Sequence, residues 1–224
     1  GADLVDITGE NRILAYHGML NLREHMRPGI RAMLQVAGIE EAPKTVRDMS
    51  FSLGPRINAA GRVGHALTAA KLLMANDEGS ALELASQLET MNQARRDIDE
   101  DLTEEAIALM AEQPPGRSCT IVHGEGWHRG VLGIVASRLV EQRYCPTIVL
   151  SEENEVLTGS ARSVPGIDIH EAFEKCRHLI EQFGGHPMAA GLTIRKENME
   201  AFTTELNAAI AAQTEDDIPK PTVS

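Results

Sequence analysis

Between Asp77 and Gln113 the chain has no proline and a single glycine, Gly79, and Pro114-Pro115-Gly116 closes the run. Within it Leu82, Leu84, Leu88, Met91, Ala94, Ile98, Leu102, Ala106 and Leu109 recur mostly every three or four residues, with charged residues between them. That spacing draws an apolar stripe along one side of a helix. The run therefore predicts one long amphipathic helix, or two in line, spanning about 55 Å at roughly 1.5 Å per residue. Paired prolines remove helical N–H donors and collide with the preceding turn, so the helix stops there. A helix of this length with so thin a stripe bridges two bodies, and it sorts the remaining chain into a part before and a part after.

The part before, from Asn11 to about Ala75, is helical in pattern. Ile13, Leu14, Met19, Leu20 and Leu22 suit one helix, and Pro28 suits the first turn of another. Thr45-Val46-Arg47-Asp48 leads into a helix carrying Phe51, Leu53, Ile57 and Ala60, with Gly61 and Gly64 loosening its end. A further helix runs from about His65 to Met74. The part after the break changes to strands alternating with helices. Cys119–Val122, Thr147–Leu150, Val156–Ala161 and Gly191–Ile194 read as strands. His128 to about Arg143, Asp168 to His178 and Glu197 to about Ala212 read as helices. The fold class is α/β: a helical segment and a bridging helix, then a mixed sheet with helices packed on it. The reading divides the chain into 1–76, 77–113, 117–213 and a flexible tail, 214–224.

No apolar run approaches the roughly 20 residues of a membrane helix, so no membrane role is expected. Three cysteines, Cys119, Cys145 and Cys176, are odd in number and lack Cys-x-x-Cys spacing. They predict buried free thiols and a cytoplasmic location rather than a disulfide framework or a structural zinc. The net charge of −12 argues against a protein that coats nucleic acid generally. Five of the 21 basic residues are lysines, so arginine dominates, and several arginines sit in Gly/Ala-rich motifs where a forked contact is useful. A focused arginine pocket on an acidic body suits a protein that grips one strand end.

Three such motifs stand out: Gly54-Pro55-Arg56-Ile57-Asn58-Ala59-Ala60-Gly61-Arg62, Gly159-Ser160-Ala161-Arg162-Ser163, and Gly184-Gly185-His186-Pro187-Met188-Ala189-Ala190-Gly191. Small residues let a backbone approach a bulky polyanion, and arginine and histidine supply donors to it. Ser160 and Arg162, two apart on an extended segment, face one side and could hold one phosphate together. On the residues alone the same segment reads more readily as an ordinary polar turn. Gly184 and Gly185 keep the backbone before His186 bare, and His186 itself suits a structural or a functional hydrogen bond. Arg56 and Arg62, six apart, share no helical face unless the helix ends between them. Asn58 contacts a ligand or braces the turn. Trp127, the only tryptophan, stacks on a base or fills the core, and His128 and Arg138 lie beside it in Trp127-His128-Arg129-Gly130-Val131-Leu132-Gly133-Ile134-Val135-Ala136-Ser137-Arg138. Asp97 and Asp99 point to different sides of a helix, cannot share an ion, and read as a solvated face.

Taken together these motifs resemble the RecJ family of single-stranded-DNA exonucleases, within the DHH phosphoesterase superfamily, from Ala2 to about Ile210. The resemblance implies that 1–76 is the end of a DHH catalytic domain, 77–113 the connecting helix and 117–213 a DHHA1 domain. Ala2-Asp3-Leu4-Val5 with Gly9-Glu10-Asn11-Arg12 resembles the end of the last DHH motif. The Asp-His-His motif is nowhere in the chain. The expectation is thus a C-terminal fragment of a 5′-to-3′ exonuclease of DNA repair and recombination, forming the substrate-gripping wall of a cleft. Two Mn²⁺ or Mg²⁺ ions would be held upstream of Gly1, no catalytic or metal-binding residue would lie in this chain, and the chain alone would be inactive. DNA contacts are implied for Arg56, Asn58, Arg62, Ser160, Arg162, Gly184, Gly185 and His186, with secondary contacts from Trp127, His128 and Arg138. Single-stranded DNA with a 5′ end is the implied partner, with single-strand-binding proteins or helicases as partners of the whole enzyme. Two alternatives are a DHH phosphodiesterase of short oligonucleotides or cyclic dinucleotides and a non-catalytic nucleic-acid-binding DHHA1 module.

Overall fold

Glycine and proline punctuate the first part of the chain into short helices, which the computed structural model places at α1 (Gly9–Glu24), α2 (Pro28–Val36), α3 (Val46–Ser52), α4 (Gly54–Val63) and α5 (Ala66–Met74). The structure describes residues 5–40, 43–114 and 116–213. The resemblance drawn on Ala2 and Asp3, Pro115 and the expected flexible tail lie outside these residues. Pro28 opens α2 as expected. Thr45 caps α3 in a reciprocal box with Asp48, each side chain accepting a backbone N–H of the other. The expected single helix through Phe51, Leu53 and Ile57 is two. Pro55 lacks an N–H and crowds the turn before it, so the chain breaks at Leu53 and restarts at Gly54. In α1 only Met19 is buried, while Ile13 and Leu14 face outward.

The long run forms one unbroken helix, α6 (Glu78–Ala111). The compact units divide inside it, as Gly1–Asp97 and Ile98–Ser224. Its first half gives Ala81, Ala85 and Leu88 to a core with Met33, Leu53, Ala60 and Leu72. Its last turns give Leu102, Ala106 and Met110 to a different core with Trp127, Leu132, Val135 and Val149. The boundary thus falls where the buried stripe changes partners, ahead of the prolines that end the helix.

The second unit is built on β1 (Thr120–Glu125), α7 (Leu132–Gln142), β2 (Thr147–Glu153), β3 (Val156–Arg162), α8 (Ile169–Lys175), β4 (Ile180–His186), β5 (Ala189–Arg195) and α9 (Met199–Ala211). The strands run in the order β1-β2-β3-β5-β4. β1 pairs with β2 in parallel and the other pairs are antiparallel, so the sheet is mixed as expected. Strand β4 is unanticipated. It is an edge strand whose residues are mostly exposed, so it carries no apolar alternation, and the ladder to β5 holds it. One sheet face packs Leu157, Ala161, Leu192 and Ile194 on Phe173 of α8 and on Phe202 and Leu206 of α9. On the other, α7 covers Val122 and Val149. Cys119, Cys145 and Cys176 are buried and free. Desolvation, then the Glu205 charge, pushes the Cys176 thiol up to about 11. No helix among the described residues is long and apolar enough to cross a membrane.

Candidate functional site

Two of the three motifs meet on one face of the sheet, and strand register brings them there. Ser160 pairs with Gly191, and Gly191 with Gly184. One step along, Arg162 pairs with Ala189, and Ala189 with His186. One step the other way, Thr158 pairs with Thr193, and Thr193 with Gln182. Directly paired residues of an antiparallel ladder project to the same side, and positions two apart along a strand share it. Arg162, Ser160, Gly184, His186 and Gly191 therefore share a face with Thr158, Gln182 and Thr193. None of these positions carries Asp or Glu, on a chain whose net charge is −12.

The glycines on this sheet divide into two kinds. A Cβ at Gly159 would overlap the Val149 carbonyl, and one at Gly185, where φ is +151°, would overlap the Ala189 carbonyl and Ala190. Both positions need glycine to close the sheet. At Gly184 an added Cβ meets nothing within 4 Å, and at Gly191 it makes an ordinary contact of 3.6 Å with the Gly159 carbonyl. Packing does not demand glycine at these two positions, and their bareness leaves the face open to a ligand. Together with Thr158, Gln182 and Thr193 they line a shallow groove of about 340 Å³.

The Arg162 guanidinium lies against the first turn of α7. Its Nη1 donates to the Ala161 carbonyl at 2.8 Å, and a Cβ on Gly133 would come within 2.5 Å of its Nη2. The lack of a side chain at Gly133 makes room for this guanidinium. The Ser160 hydroxyl and the His186 imidazole make no hydrogen bond among the described residues, and His186 is exposed. Ser163, the last residue of its motif, is buried and donates to the Ile167 carbonyl at 2.7 Å, a structural bond.

Of the three residues expected as secondary contacts, Trp127 is enclosed in the fold, while His128 and Arg138 are exposed. Trp127 is 7% exposed, packs against Gly124, and donates from Nε1 to Glu105 at 2.9 Å. It is a core residue, and its enclosed ring has no face left for a base. His128 is exposed, and its Nδ1 accepts from the Gly130 amide at 3.1 Å within the turn before α7, which starts at Leu132 rather than His128. Arg138 donates to Asp99 Oδ2 at 2.7 Å, and Asp99 is completely buried. The reading of Asp99 as part of a solvated face is corrected: α7 covers that side of α6, and Arg138 supplies the counter-charge a buried carboxylate requires. Asp97 is exposed, as expected.

In the first unit, α4 continues past Gly61 to Val63 and separates the two arginines of its motif. Arg56 is buried, its guanidinium bonded to the Glu89 carboxylate on α6 and to the Ser52 carbonyl at 2.6 Å. Asn58 and Arg62, four residues apart, are both exposed and share one side of the helix. The motif thus combines a brace with an outward pair. Among the described residues no three His, Cys, Asp or Glu side chains stand close enough to hold a metal ion.

Thr158, Gln182 and Thr193 were not singled out from sequence. Gly191 was noticed only as the end of its motif. Alternation along β4 would point to Gln182, but a register shift at Ile180/Gln182 and the two glycines hide it.

Residues 116–212 match the DHHA1 domain family. The chain is 39% identical over 208 residues to the single-stranded-DNA-specific exonuclease RecJ of Bacillus subtilis, covering 92% of this chain and 26% of that protein. It is 40% identical over 223 residues to the protein of the same name from Haemophilus influenzae, covering 94% and 38%. The crystal structure of RecJ from Thermus thermophilus in complex with Mg²⁺ superposes with a TM-score of 0.84 at 28% identity, over 97% of this chain and 33% of that one, and the same protein has been crystallised with Mn²⁺. The chain spans between about a quarter and two-fifths of the length of these curated relatives. With the fold, the motifs and these likenesses in agreement, the chain belongs to the RecJ family and carries a DHHA1 domain at residues 116–212.

Proposed function

We propose that this chain carries the strand-end grip of a divalent-metal-dependent 5′-to-3′ exonuclease acting on single-stranded DNA in repair and recombination. The observation that carries this reading is the open sheet face on which Ser160 and Arg162 stand beside bare Gly184 and Gly191. Ser160 and Arg162 bind the 5′-terminal phosphate. Guanidinium donors give charge-assisted, bidentate contacts, and the serine hydroxyl adds a third. His186 lines the same face and donates to the strand, and Asn58 and Arg62 offer a second set of contacts from α4. Arg56 holds α4 to α6 and acts on DNA only through that position. Residues 1–76 are read as the end of the DHH domain, 77–113 as the connecting helix and 117–213 as DHHA1. The metal chemistry, by Mn²⁺ or Mg²⁺, is assigned to the part of RecJ-length proteins that this chain does not cover. Single-strand-binding proteins and helicases are partners of the whole enzyme. Three inert, buried thiols suit a reducing cytoplasm.

The test compares 5′-phosphorylated with 5′-hydroxyl single-stranded oligonucleotides by fluorescence anisotropy with the 224-residue chain. Hydrogen bonds to charged groups contribute roughly 1.5–3 kcal/mol each, so Arg162→Ala is expected to weaken the phosphorylated strand at least tenfold. The preference for phosphate should collapse, and Ser160→Ala should erode it more weakly. Equal weakening of both strands would reduce Arg162 to a general backbone contact and remove end recognition from this face. The chain alone is expected to leave DNA intact with Mn²⁺ present; degradation that survives repurification would place an active site within it.

A further inference from the structure

His186 ends β4, where the chain turns back through Pro187 and Met188 into β5. That turn is held by another segment. After Arg162 the chain leaves β3 in a loop, residues 163–168, that leads into α8. Both ends of this segment donate to the turn: the Ser163 amide to the Met188 carbonyl at 2.9 Å, and the Ile169 amide to the Pro187 carbonyl at 3.0 Å. The Ser163 hydroxyl closes the loop on the Ile167 carbonyl, and Gly166 turns it at a φ of +91°. Asp168, beside Ile169, has its own amide and carbonyl engaged by one side chain. Gln213 Oε1 accepts from the Asp168 amide at 2.7 Å, and Gln213 Nε2 donates to the Asp168 carbonyl at 3.0 Å. A primary amide presents acceptor and donor side by side, so Gln213 pairs with Asp168 as a neighbouring strand would.

Gln213 follows α9, which packs through Phe202, Leu206 and Ile210 on the sheet face opposite the candidate site. The core does not depend on this link. The Asp168 carboxylate caps α8 by accepting from the Glu171 amide at 3.0 Å, and Ile169, Ala172 and Phe173 anchor that helix fully buried. Two neutral hydrogen bonds from half-buried Gln213 add little beside such burial. Their consequence is placement, because a shift of about 1 Å transmitted from a distance can disable a contact. We infer that Gln213 is a positioning residue: through Asp168 and the bond from Ile169 to Pro187, it sets where the β4–β5 turn presents His186 to the strand. The inference rests on the reading of His186 as a strand contact, and it adds a determinant from α9, outside the sheet.

Gln213→Ala in the 224-residue chain removes both bonds. Its affinity for a 5′-phosphorylated single-stranded oligonucleotide, read by fluorescence anisotropy, is expected to fall about threefold, within the range for residues coupled through a backbone shift. Exchange of the Asp168 and Ile169 amides should quicken by about two- to tenfold, the equivalent of one neutral hydrogen bond, while the Leu157 and Leu192 amides keep the parent rates. A double-mutant cycle with His186→Ala decides the route. If Gln213 acts through His186, Gln213→Ala should have no further effect once the imidazole is gone. Equal weakening by Gln213→Ala with and without His186 overturns the inference. So does an affinity untouched by Gln213→Ala where His186→Ala weakens binding, and in both cases His186 keeps its contact. If His186→Ala itself changes nothing, the reading of His186 fails and the positioning role falls with it. Gln213→Glu keeps an acceptor for the Asp168 amide but at neutral pH sets a carboxylate oxygen against the Asp168 carbonyl, so it should match the alanine variant. Parental affinity in Gln213→Glu overturns the two-bond clasp. A Gln213→Ala chain already unfolded in buffer, as read through Trp127, would make Gln213 a folding determinant and overturn the inference as well.

Discussion

Replacing Gly185 or Gly184 by alanine adds the same methyl to neighbouring residues of one strand, yet the structure assigns the two changes different consequences. At Gly185 φ is +151°, a region that costs a residue with a side chain roughly 1–3 kcal/mol. The new methyl would also overlap the Ala189 carbonyl and the Ala190 Cα, which are backbone and cannot swing aside. Overpacking of this kind adds about 1–3 kcal/mol. Gly185→Ala should therefore cost about 2–6 kcal/mol, a large part of the roughly 5–15 kcal/mol that holds a domain folded. At Gly184 nothing stands within 4 Å of the added methyl, so Gly184→Ala should stay within about 0.5 kcal/mol of the parent. Urea titration followed through Trp127 reports on the second unit, because this single tryptophan sits in its core. Amide exchange in β4 and β5 detects loss confined to the edge hairpin. Equal stability of the two variants by both measures would refute the division of the glycines into structural and open, and with it the reason for calling the face a ligand site.

Arg56→Ala leaves Glu89 without its guanidinium partner and the Ser52 carbonyl without its donor, so a loss of about 3 kcal/mol is expected on urea denaturation. Arg62→Ala should cost less stability than Arg56→Ala while weakening DNA binding; the opposite pattern would exchange the roles of brace and contact. Arg138→Lys should fall short of restoring the pair with Asp99, and Arg138→Ala should destabilise the second unit by roughly 1.5–3 kcal/mol in the same assay. The Thr45 amide and hydroxyl hold Asp48 below its ordinary value of 3.8. The carboxylate's contribution to α3 is therefore complete at neutral pH and is lost as pH falls from that value through the lower folded one. Hydrogen exchange in α3 should accelerate over that acid range in the parent chain, and Asp48→Ala should remove the dependence.

Local chemistry was enough for much of this architecture. An uninterrupted period of three to four residues closed by two prolines can only be a helix that ends there, and α6 runs from Glu78 to Ala111. The strands with buried apolar runs, β1, β2 and β3, were legible for the same reason: burial leaves its mark in composition. Spacing also placed Ser160 and Arg162 on one side of an extended segment, since alternation is a property of the strand itself. Strand β4 left no such mark, because an edge strand is held by its neighbour's hydrogen bonds and its exposed side chains follow no apolar rhythm. The division within α6 was hidden as well, since a helix carries one stripe whichever core receives it. Charge partners were the least legible. Asp99 and Asp97 are alike in type and spacing, and Arg56 and Arg62 are alike within one motif. Which of each pair is buried depends on what packs there from distant sequence: α7 covers Asp99, and Glu89 of α6 reaches Arg56. The candidate site is of this last kind. Its residues come from β3, β4 and β5, and their coincidence on one face is a matter of register, which a hairpin and a long crossover establish and no single segment encodes.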